Sequence, residues 1–148
     1  MERIVVGVDG SEHSIRALRW AAGEARLRGA ILEAVMVVPY SDVVGVPGAA
    51  FPVESYESVQ KRAQARLQQI LEEQLGEPTP GEVQPHAVLG PAAKELLDAA
   101  EGADLLVVGA RGRGGFASLL LGSVSLQCAL HAPCPVLIFR TSQDDRST

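Results

Sequence analysis

Short apolar runs alternate along the chain with longer segments of helical spacing, and this alternation constrains the fold more than any other feature of the sequence. The apolar runs are residues 4–8, 31–38, 83–89, 105–108 and 136–139. Continuous runs of this length are typical of strands that are covered on both faces. Because strand–helix alternation makes consecutive strands parallel, we predict one α/β domain with a doubly wound, Rossmann-like sheet. Its five strands are expected in the order 3-2-1-4-5, with four helices completing a three-layer α/β/α sandwich.

Four segments carry helix signals. The first begins after Ser11, a suitable N-cap, and ends at Gly29. The second covers residues 54–75, the third covers residues 91–100 with proline at its first position, and the fourth ends near His131. The apolar stripe of the second helix is formed by Val59, Ala63, Leu67, Ile70 and Leu71. These stripes predict helices that pack against the sheet.

Length and charge restrict the domain count and the classes of partner. The 148 residues suffice for one domain, assigned to residues 1–141, with a polar tail at 142–148. The net charge of -5 argues against broad binding of nucleic acid or of an anionic membrane. It is compatible with a local phosphate site, which backbone N–H groups can build whatever the overall charge.

Targeting signals and cysteine spacing favour the cytoplasm. The first residues pass directly into an apolar run that is too short for a signal peptide. No stretch approaches the roughly 18 apolar residues of a membrane helix. Cys128 and Cys134 lack the spacing of a metal or redox motif, so we expect reduced thiols and no metal site built by the protein itself.

In a doubly wound sheet, ligands bind at the carboxyl ends of the strands. Asp9 follows the first strand, residues 37–39 close the second, and Gly109 follows the fourth. Asp9 can either close its strand with an Asx-turn or contact a ligand, and its position favours the ligand. The loop over residues 39–52 is long for a compact domain and typical of a lid or a binding segment.

The glycine-rich segment after the fourth strand has a spacing suited to phosphate. Gly109, Gly112 and Gly122 are separated by two and nine residues, and Ser123 follows at once. Glycines let the chain lie against an oxyanion, and successive N–H groups form a concavity for it. Ser123, at a helix start, adds a hydroxyl and the positive end of the helix dipole. Chance would produce this spacing somewhere in the chain only about 1% of the time.

Two neighbours of these glycines each have two interpretations. Arg111 either makes charge-assisted bonds to phosphate or lies in a solvated loop, as does Arg113. Ser125 either offers a second hydroxyl to the phosphates or belongs to the next turn of the helix, and we favour the helical turn.

The pattern G-x2-G-x9-G-S at Gly109, Gly112, Gly122 and Ser123 resembles the ATP-binding signature of the universal stress proteins. The opening residues 4–11 and the closing residues 134–138 also resemble that family, so the likeness covers about residues 3–140. Ala110 departs from it, since many relatives carry serine there.

The resemblance implies a role for each matching position. Asp9 would contact the adenosine end of the nucleotide, the backbone of Val37 would lie against the adenine, and Val108 and Gly109 would form the floor. The donors to the phosphates would be Gly112, Gly122, Ser123 and Val124. The candidate nucleotide-binding set is completed by Gly7, Val8, Arg111 and Ser125.

The resemblance further implies an ATP-binding regulatory protein of the stress response, with the nucleotide controlling conformation or partner binding. Mg²⁺ or Mn²⁺ would accompany the triphosphate, and a homodimer would form through the last strand, Val136 to Phe139. We expect no enzyme, because a GxxxxGK[ST] loop, an acidic pair for a catalytic magnesium and a histidine base are missing from the motifs. Slow ATP hydrolysis or autophosphorylation, and a cyclic-AMP-binding relative, stay open as alternatives.

Overall fold

The computed structural model describes residues 2–40, 55–77, 81–111 and 121–140. The elements follow in the order β1 (Arg3–Gly7), α1 (Glu12–Arg28), β2 (Ile31–Val38), α2 (Tyr56–Leu75), β3 (Val83–Leu89), α3 (Ala92–Ala99), β4 (Leu105–Gly109), α4 (Ser123–His131) and β5 (Val136–Phe139). Every strand pairing is parallel, and the strand order is β3-β2-β1-β4-β5. The predicted fold class, strand order and number of helices are confirmed for these residues.

Aliphatic side chains cover both faces of the sheet. Successive residues of a strand point to opposite faces, so Ile4 and Val6 of β1 join one apolar cluster and Val5 joins the other. The first cluster packs under α1 and α2, whose Leu18 and Leu67 are fully buried. The second cluster packs under α3 and α4. This arrangement is the predicted three-layer sandwich.

The ends of α1 lie where the sequence predicts them. The Ser11 side chain accepts a hydrogen bond from the N–H of Ser14, and Gly29 takes a left-handed conformation with φ 63°. In α2, the predicted stripe of Val59, Ala63, Leu67, Ile70 and Leu71 is buried. Helix α2 begins at Tyr56, after the N-cap Ser55, two residues later than predicted.

Other boundaries differ from the prediction by one residue, at both ends of β1, at both ends of α3 and at the end of β4. Strand β1 covers Arg3–Gly7 instead of residues 4–8. Pro91 is the N-cap of α3 instead of its first helical residue, with ψ 128° in the extended region. The predictions for residues 41–52 of the loop and for the tail at 142–148 lie outside the described residues.

The register of the sheet brings the ends of three strands together. Gly7 of β1 is aligned with Val35 of β2, and Val6 is aligned with Val107 of β4. Asp9, Val37 and Gly109 each follow one of these aligned residues by two positions. They therefore lie together at the carboxyl end of the sheet. In the part of the chain that the structure describes, no helix is long and apolar enough to cross a membrane.

Candidate nucleotide-binding site

Asp9 closes the turn between β1 and α1. Its Oδ1 accepts a hydrogen bond of 2.8 Å from the N–H of Ser11, and its own N–H donates to Ser14 Oγ at 3.2 Å. The N–H of Val8 continues the sheet by donating to the carbonyl of Val35 at 2.9 Å. Asp9 thus forms the Asx-turn that was one of its two predicted roles. The carboxylate is only partly buried, and it also lines a cavity.

This cavity, of about 540 Å³, lies between the end of β2 and helix α2. Asp9, Val37 and Pro39 line it on the sheet side, and Val59 and Arg66 line it from α2. The structure therefore brings Asp9 and Val37, the residues predicted for the adenosine end, into one cavity. The mixture of aliphatic walls with a few polar groups is typical of small-molecule sites.

Gly109 ends β4 against the first turn of α1. A Cβ on Gly109 would stand 2.9 Å from the backbone carbon and the Cβ of His13, and 3.1 Å from its carbonyl oxygen. Contacts this close to a backbone cannot be relieved by a side-chain rotation, so glycine is required here to let α1 approach the sheet. The first glycine of the signature therefore has a packing role that does not depend on a ligand.

The start of α4 has no side-chain cap. Gly122 is its N-cap and makes no capping side-chain bond, whereas α1 and α2 are capped by serines. No described residue accepts a hydrogen bond from the N–H groups of Ser123 and Val124. Exposed N–H groups at the positive end of a helix are the usual elements of an anion site.

The N–H of Gly122, which the resemblance implies as a donor to phosphate, donates to the carbonyl of Ala110 at 2.7 Å. This bond ties the start of α4 to the end of β4. Contact of Gly122 with phosphate stays a prediction. The N–H groups at this helix start that bond to no described residue are those of Ser123, Val124 and Ser125, of which Ser125 is buried.

Ser125 is buried below the start of the helix. Its hydroxyl donates to the carbonyl of Ala110 at 2.7 Å and lies 3.0 Å from that of Gly122. This arrangement favours the interpretation in which Ser125 belongs to the helical turn, and it argues against a hydroxyl offered to phosphate. The hydroxyl fastens α4 to β4, and contact of Ser125 with a nucleotide stays a prediction.

Arg111 lies beside the first turn of α1. Its Nη2 is 3.4 Å from Nε2 of His13, and the side chain is partly exposed. This position, at the same carboxyl end of the sheet as Asp9, is compatible with both interpretations of Arg111, phosphate contact and a solvated loop. Phosphate contact by Arg111 stays a prediction.

Three further candidates are placed mainly by packing. Gly7 faces α3, where an added Cβ would lie 3.2 Å from a methyl of Leu96. Val8 and Val108 are buried in opposite apolar clusters, so only their backbones can face a ligand. Gly112 and Arg113 lie outside the described residues.

The sequence reasoning missed the contribution of α2 to the cavity wall. Arg62, Arg66 and Gln69 line it together with Val59 and Ala63. A regular amphipathic helix gives no local signal that its polar residues face a ligand, because such residues usually face solvent. The contribution of α2 is evident only from the folded structure, in which residues of α2 and Asp9 line one cavity.

The described residues hold no group of three His, Cys, Asp or Glu side chains placed to bind a metal ion. Both cysteines are free thiols. Burial raises the pKa of the Cys128 thiol from its ordinary value of 9.0 to about 11. Burial also raises the pKa of the Cys134 thiol.

The chain is similar to known proteins over nearly its whole length. The model of the universal stress protein family matches residues 1–140. A universal stress protein encoded in the QAH/OAS sulfhydrylase 3′ region of Thermus aquaticus is 38% identical over 141 residues, covering 93% of this chain and 97% of the relative. A universal stress protein of Mycolicibacterium smegmatis is 36% identical over 138 residues, and the match covers 91% of this chain and 47% of that relative. The chain thus spans about half the length of the mycobacterial relative.

Solved structures with the same fold include nucleotide complexes. Universal stress protein UspA from Lactobacillus plantarum superposes with a TM-score of 0.69 at 25% identity, over 94% of this chain and 97% of the other. A universal stress protein in complex with cAMP gives a TM-score of 0.68 at 28% identity, over 95% and 98%. A universal stress protein from Archaeoglobus fulgidus in complex with dAMP gives 0.61 at 25% identity, over 94% and 98%.

Proposed function

The chain belongs to the universal stress protein family, and on that premise we propose that it is an ATP-binding regulatory protein of the stress response. The nucleotide is a ligand that controls conformation or partner binding, and it is not turned over as a substrate. Two solved relatives were determined with cAMP and with dAMP, which supports an adenine nucleotide as the ligand class.

The start of α4 is the observation that carries the proposal. The N–H groups of Ser123 and Val124 point out of an uncapped helix end, next to the carboxyl end of the sheet where Asp9 and Gly109 lie. Phosphate oxygens accept hydrogen bonds from such groups, and the helix dipole adds to the attraction. The hydroxyl of Ser123, which is exposed, is available as a further donor.

The cavity between β2 and α2 supports the binding of the nucleoside part of the ligand. Val37 offers its backbone and the aliphatic wall offers a surface for the base, while Asp9 offers a carboxylate oxygen to a ribose hydroxyl. A triphosphate running from this cavity towards α4 would cross the carboxyl ends of β1 and β4. That crossing point is where ligands bind in doubly wound sheets. A divalent cation, Mg²⁺ or Mn²⁺, would be carried by the triphosphate.

A cyclic-AMP-binding protein is the second candidate. The observation that favours it is the related structure in complex with cAMP, at 28% identity over 95% of this chain. Slow ATP hydrolysis or autophosphorylation is an alternative enzyme role.

We include a homodimer through β5 in the proposal. The outward N–H and C=O groups of Val136 and Ile138 make no hydrogen bond to any described residue. At the other edge of the sheet, Gln60 and Gln64 of α2 bond to the backbone of β3. One edge is therefore covered and the other is available for strand pairing. The two free thiols are compatible with a reducing compartment such as the cytoplasm.

The proposal is tested by calorimetric titration with ATP, cAMP and AMP, together with mass spectrometry of any small molecule that co-purifies. We expect ATP to bind with a dissociation constant in the micromolar range, about -8 kcal/mol. The variant Ser123→Asp places a carboxylate at the start of α4, where it competes with phosphate while favouring the helix dipole. We expect it to fold normally and to weaken ATP binding by at least about tenfold.

The matched control is Gln127→Asp, which adds the same charge to an exposed position one turn further along α4. It should change ATP affinity by less than about twofold, because it lies away from the N–H groups. Absence of heat and of a thermal shift at millimolar ATP and cAMP would refute the proposal. Equal losses in both variants would show that the start of α4 is not the phosphate site.

A further inference from the structure

Arg66 of α2 reaches across the turn that follows β1. Its Nη2 lies 3.0 Å from the place where a Cβ on Gly10 would stand, so the absence of a side chain on Gly10, whose φ is 84°, leaves room for the guanidinium. The side chain is exposed and lines the same cavity as Asp9. Within the described ranges no carboxylate pairs with Arg66, whereas Arg3 and Arg28 each have a glutamate partner.

A second arginine lies one turn earlier on the same wall. Arg62 and Arg66 are four residues apart and both line the cavity, while Val59 and Ala63 between and before them are buried. A guanidinium binds phosphate through two parallel hydrogen bonds, so Arg66 offers a donor pair to an anionic group held in the cavity.

The position of these arginines identifies which phosphate they could reach. They lie at the nucleoside end, beside Asp9, whereas the uncapped N–H groups of Ser123 and Val124 lie at the start of α4. In doubly wound dinucleotide-binding sheets, a carboxylate takes the ribose hydroxyl of NAD, whereas an arginine accommodates the phosphate on the ribose of NADP. This cavity presents an arginine beside a carboxylate, so a phosphate on one ribose hydroxyl and the other, free hydroxyl each have a partner of the matching chemistry.

We propose that Arg66 is a specificity-determining residue that binds a phosphate esterified to a ribose hydroxyl, so that the site prefers adenosine bisphosphates with a 2′- or 3′-phosphate over AMP. This inference rests on the proposed nucleotide site and adds the chemical class of ligand that the α2 wall selects.

The test is calorimetric titration of the full chain with AMP, adenosine 2′,5′-bisphosphate and adenosine 3′,5′-bisphosphate. We expect at least one bisphosphate to bind about tenfold more tightly than AMP. In Arg66→Gln this advantage should fall to about twofold or less, with AMP affinity unchanged within about twofold. The matched control is Lys61→Gln, which removes one positive charge from an exposed residue of α2 that does not line the cavity. It should keep the full advantage.

Each other outcome overturns the inference in a distinguishable way. If AMP and ATP bind but neither bisphosphate is preferred, Arg66 does not select a ribose phosphate, and the proposed function stands. If Arg66→Gln weakens AMP as much as the bisphosphates, Arg66 contacts the nucleoside or the 5′-phosphate instead. If wild-type protein binds none of the adenine nucleotides, the proposed function fails and this inference fails with it.

Discussion

Among single residues, Gly109 combines a place in the ligand signature with a strict packing requirement. The backbone of His13 leaves no room for a Cβ at this position. Glycine patterns in phosphate-binding sequences are usually explained by the approach of the ligand. Here the approach of a helix already explains the first glycine, and the ligand argument depends more strongly on the start of α4.

We expect Gly109→Ala to lower the free energy of unfolding by about 1–3 kcal/mol, because the added methyl must displace the backbone of α1. Chemical denaturation monitored by circular dichroism measures this. Gly23→Ala is the matched control, since Gly23 lies inside α1 with nothing within 4 Å of an added Cβ. That change should stabilise the protein by about 0.5–1 kcal/mol. A harmless Gly109→Ala would contradict the packing requirement.

Cys128 gives a pH dependence whose sign can be stated. Its thiol is fully buried, and burial raises its pKa from 9.0 to about 11. Between these values the folded chain keeps the proton and the unfolded chain releases it. Stability from this group is therefore complete below pH 9 and is lost as the pH rises towards 11.

We predict that this group lowers the free energy of unfolding by about 1.4 kcal/mol per pH unit within that window. Denaturation curves at several pH values should show a shallower decline in Cys128→Ala than in wild type. Cys134→Ala is the control, since Cys134 is only partly buried and should change the slope less. Identical slopes in wild type and Cys128→Ala would exclude the effect.

Residue-level prediction succeeded where the signal is local. The cap at Ser11, the left-handed Gly29 and the position of Ser123 at a helix start all follow from neighbouring residues. It failed where the partner is distant along the chain. The bond from Gly122 to Ala110 and the contribution of Arg66 to the cavity arise only when elements pack together.

Among the elements, β3 shows how an edge strand is protected. Gln64 accepts a hydrogen bond from the N–H of Ala87 at 2.8 Å and donates to the carbonyl of Pro85 at 3.0 Å. Gln60 donates to the carbonyl of Ala87 at 3.1 Å. Pro85, which weakens the sequence signal for a strand, has no N–H to present at this edge. Proline is tolerated in a strand at such positions.

We expect Gln64→Ala to destabilise the protein by about 1–3 kcal/mol, because it leaves two backbone groups of β3 without partners. Thermal denaturation measures the loss. Gln68→Ala, on the exposed side of the same helix, is the control and should change stability by less than about 0.5 kcal/mol. Similar effects of the two changes would show that the edge does not depend on Gln64.

Element types were predictable from periodicity, and boundaries were less so. All nine helices and strands of the described residues have the predicted type. The one-residue differences at β1, α3 and β4 reflect hydrogen bonds that patterns of apolar residues do not encode. The side-chain bonds that cover β3 were not predictable, since a glutamine on a helix surface carries no sign of its partner.

For the whole molecule, the two edges of the sheet are unequal, and this predicts the mode of assembly. The outward N–H of Ile138 is available at the β5 edge. We expect wild-type protein to be a dimer by analytical ultracentrifugation. Ile138→Pro removes this N–H and should give a monomer.

Ile138→Ala is the control for that substitution. It also shortens the side chain but keeps the N–H, so it should remain dimeric. Circular dichroism checks that both variants fold. A dimer that survives Ile138→Pro, or a monomeric wild-type protein, would contradict pairing through β5.

In the proposed complex, the backbone N–H groups at the start of α4 hold the phosphates of a nucleotide whose base lies near Val37. Titration of ¹⁵N-labelled protein with ATP, followed by amide chemical shifts, reports on each of these N–H groups separately. We predict saturable shifts that are largest for Ser123 and Val124, with further changes at Asp9 and Val37. If saturating ATP leaves the shifts at the start of α4 unchanged, the phosphates do not bind there.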